Sequence, residues 1–107
     1  MPLIRIEYDD KKLSRKDAIE LSGAIQKIVS EKTDINDVFV YANTSQIKIK
    51  VAPVEIFIQI SEHKIRDLEV LFNEIKSDLS KWKKKNSIKY PINLTVIPMK
   101  WKFETGI

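Results

Sequence analysis

Apolar and polar residues alternate from the start of the chain. In "PLIRIEY", Ile4, Ile6 and Tyr8 fall on one side and Leu3, Arg5 and Glu7 on the other, the period of a strand with one buried face. Pro2 opens that strand, and the first residue is where a proline, which has no N–H to donate, is tolerated. "SRKD" follows, in which Ser14 can cap a helix and Asp17 can reach back to complete a capping box. Ala18, Leu21, Ile25, Ile28 and Val29 then recur at helical spacing and predict an amphipathic helix over about residues 15–31. "DINDVFVYA" restores the alternation and predicts a second strand through about residues 37–43, with Val38, Val40 and Ala42 inward.

The second half repeats the order. Pro53 precedes "VEIFIQI", where Val54, Ile56, Ile58 and Ile60 share one face and Glu55, Phe57 and Gln59 the other. Ile65, Leu68, Leu71, Phe72, Ile75, Leu79 and Trp82 mark a second amphipathic helix over roughly residues 63–84, with Asn86 as its terminator. "YPINLTVIP" supplies a last strand with Ile92, Leu94 and Val96 inward. Between the halves, "TSQIKIKVA" alternates again and reads as an extra strand or an edge hairpin. The expected fold is therefore α/β: two β-α-β units in tandem, about residues 2–43 and 53–98 of one domain. They would form a four-stranded mixed sheet with two helices on one face. Each unit should make a right-handed crossover between parallel strands. The spacing of Pro2 and Pro53, about half the chain, suggests duplication of one unit. The other sheet face would carry Arg5, Glu7, Glu55, Gln59, Asn93 and Thr95, which suits solvent or a wet channel within an oligomer.

Composition removes several chemistries. A chain of 107 residues is one domain by length. With no cysteine, disulfides, thiolate metal sites and cysteine nucleophiles are excluded. One histidine, His63, expected at the surface, leaves no histidine-rich metal site and no histidine-based triad. No apolar run approaches the roughly 18 residues of a membrane span, and no signal-peptide pattern opens the chain, so a cytoplasmic setting is expected. The net charge of +4 is concentrated in "KWKKKN" and "PMKWKF". A nucleic-acid groove with stacking aromatics would have similar content. Lysines at a helix end are nevertheless favoured by the helix dipole without any ligand, and that reading is preferred here.

The chain begins Met-Pro-apolar directly into a strand, and its second half also starts at a proline. "VAPVEIFIQISEHKI" carries Ser61, Lys64 and Ile65 in a Ser-x-x-Lys-Ile pattern, and "INLTVIPMKWKFETG" ends the chain. In this order the segments resemble the tautomerase superfamily, which includes 4-oxalocrotonate tautomerase, 5-carboxymethyl-2-hydroxymuconate isomerase and macrophage migration inhibitory factor. The last segment is similar to a small bacterial branch of it.

The resemblance implies a cofactor-independent tautomerase, a homotrimer with pockets at subunit boundaries, acting on a small keto acid. Removal of Met1 would leave Pro2 as a secondary amine able to act as general base. Lys32, in "SEKTD", matches a lysine that binds substrate carboxylate in the migration inhibitory factor group; it reads equally as a helix-end lysine. Lys11 and Lys12 lie near where the superfamily can place a carboxylate-binding arginine, and are otherwise a solvated loop. The backbone amide used near the third strand's end falls at Glu62, whose carboxylate would repel an anion. Trp101 and Phe103 lie where the superfamily builds pocket wall or subunit contact. The match has gaps: Phe39 stands where the 4-oxalocrotonate tautomerases carry arginine, and Asn93 and Thr95 where the migration inhibitory factor group carries Tyr and Asn. A non-catalytic binding module, either a ferredoxin-like nucleic-acid binder or a trimeric interaction domain, is the alternative. Strand order separates the folds: strands one and two are parallel neighbours in the tautomerase arrangement and not in the ferredoxin-like one.

Overall fold

In a computed structural model describing residues 1–107, the first alternation becomes β1 (Leu3–Tyr8), followed by α1 (Arg15–Thr33) and β2 (Phe39–Asn43). The second half gives β3 (Val54–Ser61), a 3-10 turn (Glu62–Lys64), α2 (Leu68–Lys85) and β4 (Ile92–Met99). The strands form one mixed sheet in the order β2-β1-β3-β4. β1 runs parallel to β2 and β3 parallel to β4, while β1 and β3 meet antiparallel at the centre. Strands one and two are thus parallel neighbours, the tautomerase-like arrangement.

Period-two patterning puts one face of this sheet against the helices. Ile4 stands opposite Ile58 and Ile6 opposite Ile56, and all four are 0% exposed, as are Val54 and Ile60. Leu21, Ile25 and Val29 of α1 and Ile75 and Leu79 of α2 close over them, so both helices lie on one face. β2 and β4 are the edges, and their inward residues Val40, Ile92, Leu94 and Val96 are only partly buried. Ala42, expected inward, is exposed near the end of the edge strand β2.

Local signals explain the helix ends. Ser14 Oγ accepts the Asp17 N–H at 3.0 Å, the forward half of the capping box. α1 stops at Asp34, which adopts a left-handed φ of 55° and donates its N–H to the Ser30 carbonyl. Asn86 ends α2 and donates its side-chain amide to the Trp82 carbonyl at 2.9 Å.

Two further expectations are corrected. α2 begins at Leu68 rather than near residue 63, because residues 62–64 form a 3-10 turn closed by Ile65 N–H to the Glu62 carbonyl at 3.1 Å. Asp67 then caps the true start by accepting the Val70 N–H at 3.2 Å. "TSQIKIKVA" forms no strand. It carries the chain from β2 past β1 to β3, as a connection that pairs with neither free edge of the sheet. The alternation persists in another form: Lys48 is tied to Asp9 and Asp10, while Ile47 and Ile49 stand 85% and 99% exposed.

Candidate functional site

The start of β1 is enclosed on both sides. Leu3 pairs with Phe39 of β2 and with Gln59 of β3, so the chain enters the sheet between the first residue of β2 and the end of β3. The Pro2 carbonyl accepts the Phe39 N–H at 3.2 Å, which extends the parallel ladder back to the proline. Sharing parity with Ile4 and Ile6, the Pro2 ring turns toward the core and is fully buried.

The ends of β3 and β4 lie at the same end of the sheet. Ser61 pairs with Met99, and the Trp101 indole N–H donates to Ser61 Oγ at 2.8 Å. This bond folds the segment after β4 back over the end of β3. Glu62 opens the 3-10 turn next to it, with its carboxylate 3.8 Å from Lys100 Nζ, so a lysine faces the carboxylate expected to repel an anion. Both groups are largely exposed, and the pair is screened by water. Phe103 continues the C-terminal segment and is exposed.

Lys32 also reaches this end, since α1 runs antiparallel to β2 and its last turn lies above the β2 start. Its Nζ is 3.3 Å from Asp78 Oδ2 and 3.8 Å from Glu74 Oε2, so in this chain it bridges α1 to α2. A cleft of about 530 Å³ opens between the end of α1 and the start of α2, lined by Lys32, Lys64, Arg66, Asp67 and Glu74 among others. Pro2 does not line it.

Lys11 and Lys12 lie elsewhere. They follow the far end of β1, roughly 20 Å from Pro2 at about 3.3 Å per strand residue. The Lys11 N–H donates to Asp9 Oδ1 at 3.1 Å, and Lys12 Nζ stands 5.8 Å from the Tyr90 ring centre. One chain therefore gathers Pro2, Lys32, Glu62 and Trp101 at one end of the sheet and leaves Lys11 and Lys12 at the other.

Two features were not singled out from the sequence. Ser61 was legible only as part of a short motif; its burial to 5% exposure and its bond to Trp101 depend on a contact 40 residues away. The second is the Lys48 latch. Lys48 holds the Asp10 carboxyl below the usual carboxylate range by hydrogen bonding, and Asp10 in turn raises the Lys48 ammonium. Its one sequence signal is an aspartate pair directly after a strand. No group of three or more His, Asp or Glu side chains is placed to hold a metal ion.

The helix-free sheet face is less polar than its list of charged residues suggested. Phe39 and Tyr41 are 44% and 56% exposed there, beside half-buried Leu3, Phe57 and Ile97. The Arg5 guanidinium lies over the Phe57 ring at 5.6 Å, and Asn93 donates to Glu55 at 3.0 Å. The face is a mixed surface with an apolar stripe at the Pro2 end.

No family model matches the sequence, and no curated protein matches it. Solved structures do match the fold. A macrophage migration inhibitory factor-like protein from Entamoeba histolytica superposes with a TM-score of 0.62 at 19% identity, over 96% of this chain and 93% of that one. A 5-carboxymethyl-2-hydroxymuconate isomerase from Deinococcus radiodurans R1 gives 0.65 at 16% identity, covering 97% and 90%. A malonate semialdehyde decarboxylase gives 0.70 at 11% identity, covering 98% and 92%. The fold of this chain is that of the tautomerase superfamily.

Proposed function

We propose that this chain, once Met1 is removed, moves a proton at the carbon α to the carbonyl of a small keto acid, with Pro2 as the general base. The observation that carries the reading is the placement of Pro2, fully buried at the junction of β1, β2 and β3 with its carbonyl fixed by Phe39. With Met1 attached, the Pro2 nitrogen is an amide and has no useful basicity. Without it, the same nitrogen is a secondary amine. Free α-amines titrate near 7.7–8.0, and burial disfavours the charged form. Such an amine can accept a proton at neutral pH and return it to another atom of the substrate, which is tautomerisation.

The other groups fall into supporting roles. Lys32 would bind the substrate carboxylate, which requires it to exchange Asp78 and Glu74 for the ligand. The Glu62 amide would donate to a substrate oxygen, and Trp101 and Phe103 would form the wall. Lys11 and Lys12 lie too far from their own Pro2, so a role for them requires a neighbouring subunit. A homotrimer, supported by the exposed apolar stripe around Phe39 and Tyr41 and by Ile47 and Ile49, would supply that neighbour. The chemistry needs no cofactor. The test is enolisation of phenylpyruvate by Met1-free and Met1-retaining protein, with activity expected only from the first.

A further inference from the structure

We propose that Ser61 donates the hydrogen bond that holds the substrate's carbonyl oxygen beside Pro2, with the Trp101 indole fixing the direction of its hydroxyl. The inference rests on the Pro2 reading and assigns the oxygen-binding group of the same site.

The first argument is register. Leu3 faces Gln59 as the outermost pair of the antiparallel ladder; the same register carried two residues past the strand would set Pro2 against Ile60 and Met1 against Ser61. Directly opposed residues of such a pair are about 4.5–5.5 Å apart at Cα. Removing Met1 therefore does two things at once. It frees the Pro2 nitrogen, and it uncovers the place facing Ser61. A substrate bound against the new amine occupies the position Met1 held.

The second argument is the state of the hydroxyl. Ser61 is 5% exposed, and its oxygen accepts the Trp101 N–H at 2.8 Å. A serine hydroxyl has one proton to donate and two lone pairs, while an indole N–H only donates. Trp101 therefore occupies one lone pair and turns the Ser61 proton away from itself. That proton meets no protein acceptor. Although Ser61 directly precedes the 3-10 turn, its side chain makes no capping bond there. Nothing in the backbone requires a hydroxyl at this position. A donor oriented by a second donor, in a mostly buried place, suits an oxygen that becomes more negative during reaction.

The step balances without another reactant. The Pro2 amine takes the α-proton, the C–H pair becomes the C=C bond, and the carbonyl π pair moves to the oxygen held by Ser61. The Pro2 ammonium then gives that proton to the enolate oxygen, which forms the enol and restores the amine.

The experiment uses Met1-free protein with phenylpyruvate, read two ways: steady-state enolisation, and the ¹⁵N–¹H resonance of the Trp101 indole during titration with phenylpyruvate. Ser61→Ala should lower kcat by on the order of 10²-fold and leave the pH at which the base titrates unchanged. Ser61→Thr, which keeps the hydroxyl, should restore most of the rate. Trp101→Phe, which keeps the ring and removes only the N–H, should cost less than Ser61→Ala. In the wild type, the Trp101 indole resonance should shift on titration, and Ser61→Ala should weaken binding about tenfold. If Ser61 only anchored the C-terminal segment, Ser61→Ala and Trp101→Phe would have equal effects; that result overturns the proposal, as does a Ser61→Ala variant with unchanged kcat and affinity. Ser61-dependent binding without turnover would support the oxygen site and reject Pro2 as base. No binding by the wild type would reject both.

Discussion

Lys32 Nζ sits 3.3 Å from Asp78 Oδ2, an ion pair that ties the last turn of α1 to the middle of α2. The lysine proposed to bind a substrate carboxylate is therefore held by a protein carboxylate in the free chain. Asp78→Asn weakens that hold while leaving Glu74 in place. Since the pair is partly exposed, stability should change by no more than about 1 kcal/mol. The KM for phenylpyruvate should fall in the Met1-free protein, because the competing carboxylate has been neutralised. A raised KM would assign Lys32 to helix packing alone.

The Lys48 latch gives a pH signature. Asp10 has its carboxyl held low by the hydrogen bond from Lys48, so its contribution is present above the unfolded value and is lost as pH falls through the folded one. Lys48 is raised by the same bond, so its contribution is present below its unfolded value and is lost as pH rises through the folded one. Lys48→Met should therefore lower Tm by a constant amount between about pH 5 and 9, with the gap closing below about pH 4 and above about pH 10.4. Thermal melts across that range check it; a gap independent of pH would mean that Lys48 stabilises through its stem.

The alternation of β1 and β3, and the apolar periodicity of α1, were plain in the sequence because each buries one continuous face: Ile4 and Ile6 under Leu21 and Ile25, and Ile56 and Ile58 beside them. The start of α2 was not. Ile65 falls at helical spacing from Leu68 and Phe72, and only the turn at Glu62–Lys64 shows that it lies outside the helix. "TSQIKIKVA" failed for a different reason: its alternation sets Lys48 against Asp9 and Asp10 and leaves Ile47 and Ile49 exposed in a connecting segment, with no strand paired to it. For the site, Pro2 could be proposed from the sequence because its chemistry follows from residue type and position. Ser61 could not, because its hydroxyl acquires meaning from Trp101, 40 residues later.

Assembly is the third expectation. Phe39 and Tyr41 expose aromatic surface on the sheet face without helices. In a trimer built on that face, Phe39→Asp should produce monomers with an unchanged circular-dichroism spectrum, since Phe39 adds little to its own core. Sedimentation equilibrium at micromolar concentration should give three copies for the wild type and one for the variant. A monomeric wild type would remove the trimer.

The basic end of α2 is a fourth. Lys83, Lys84 and Lys85 occupy the last turn, where the helix dipole favours cations. Changing all three to Gln should leave enolisation unchanged, and the wild type should bind RNA or DNA only weakly and with strong salt dependence. Sub-micromolar binding at physiological salt, abolished by the triple change, would make nucleic acid the ligand.

The proton-transfer account stands most directly on the nitrogen of Pro2, which one comparison isolates. Met1-free and Met1-retaining protein, verified by mass and matched in fold by circular dichroism, are assayed side by side for enolisation of phenylpyruvate. Positioned acid–base catalysis contributes about 10²–10⁴-fold, so losing the base is visible above background. The account predicts enolisation by the Met1-free protein, with a pH dependence set by one basic group, and none above buffer by the Met1-retaining protein. Equal rates from the two would contradict it.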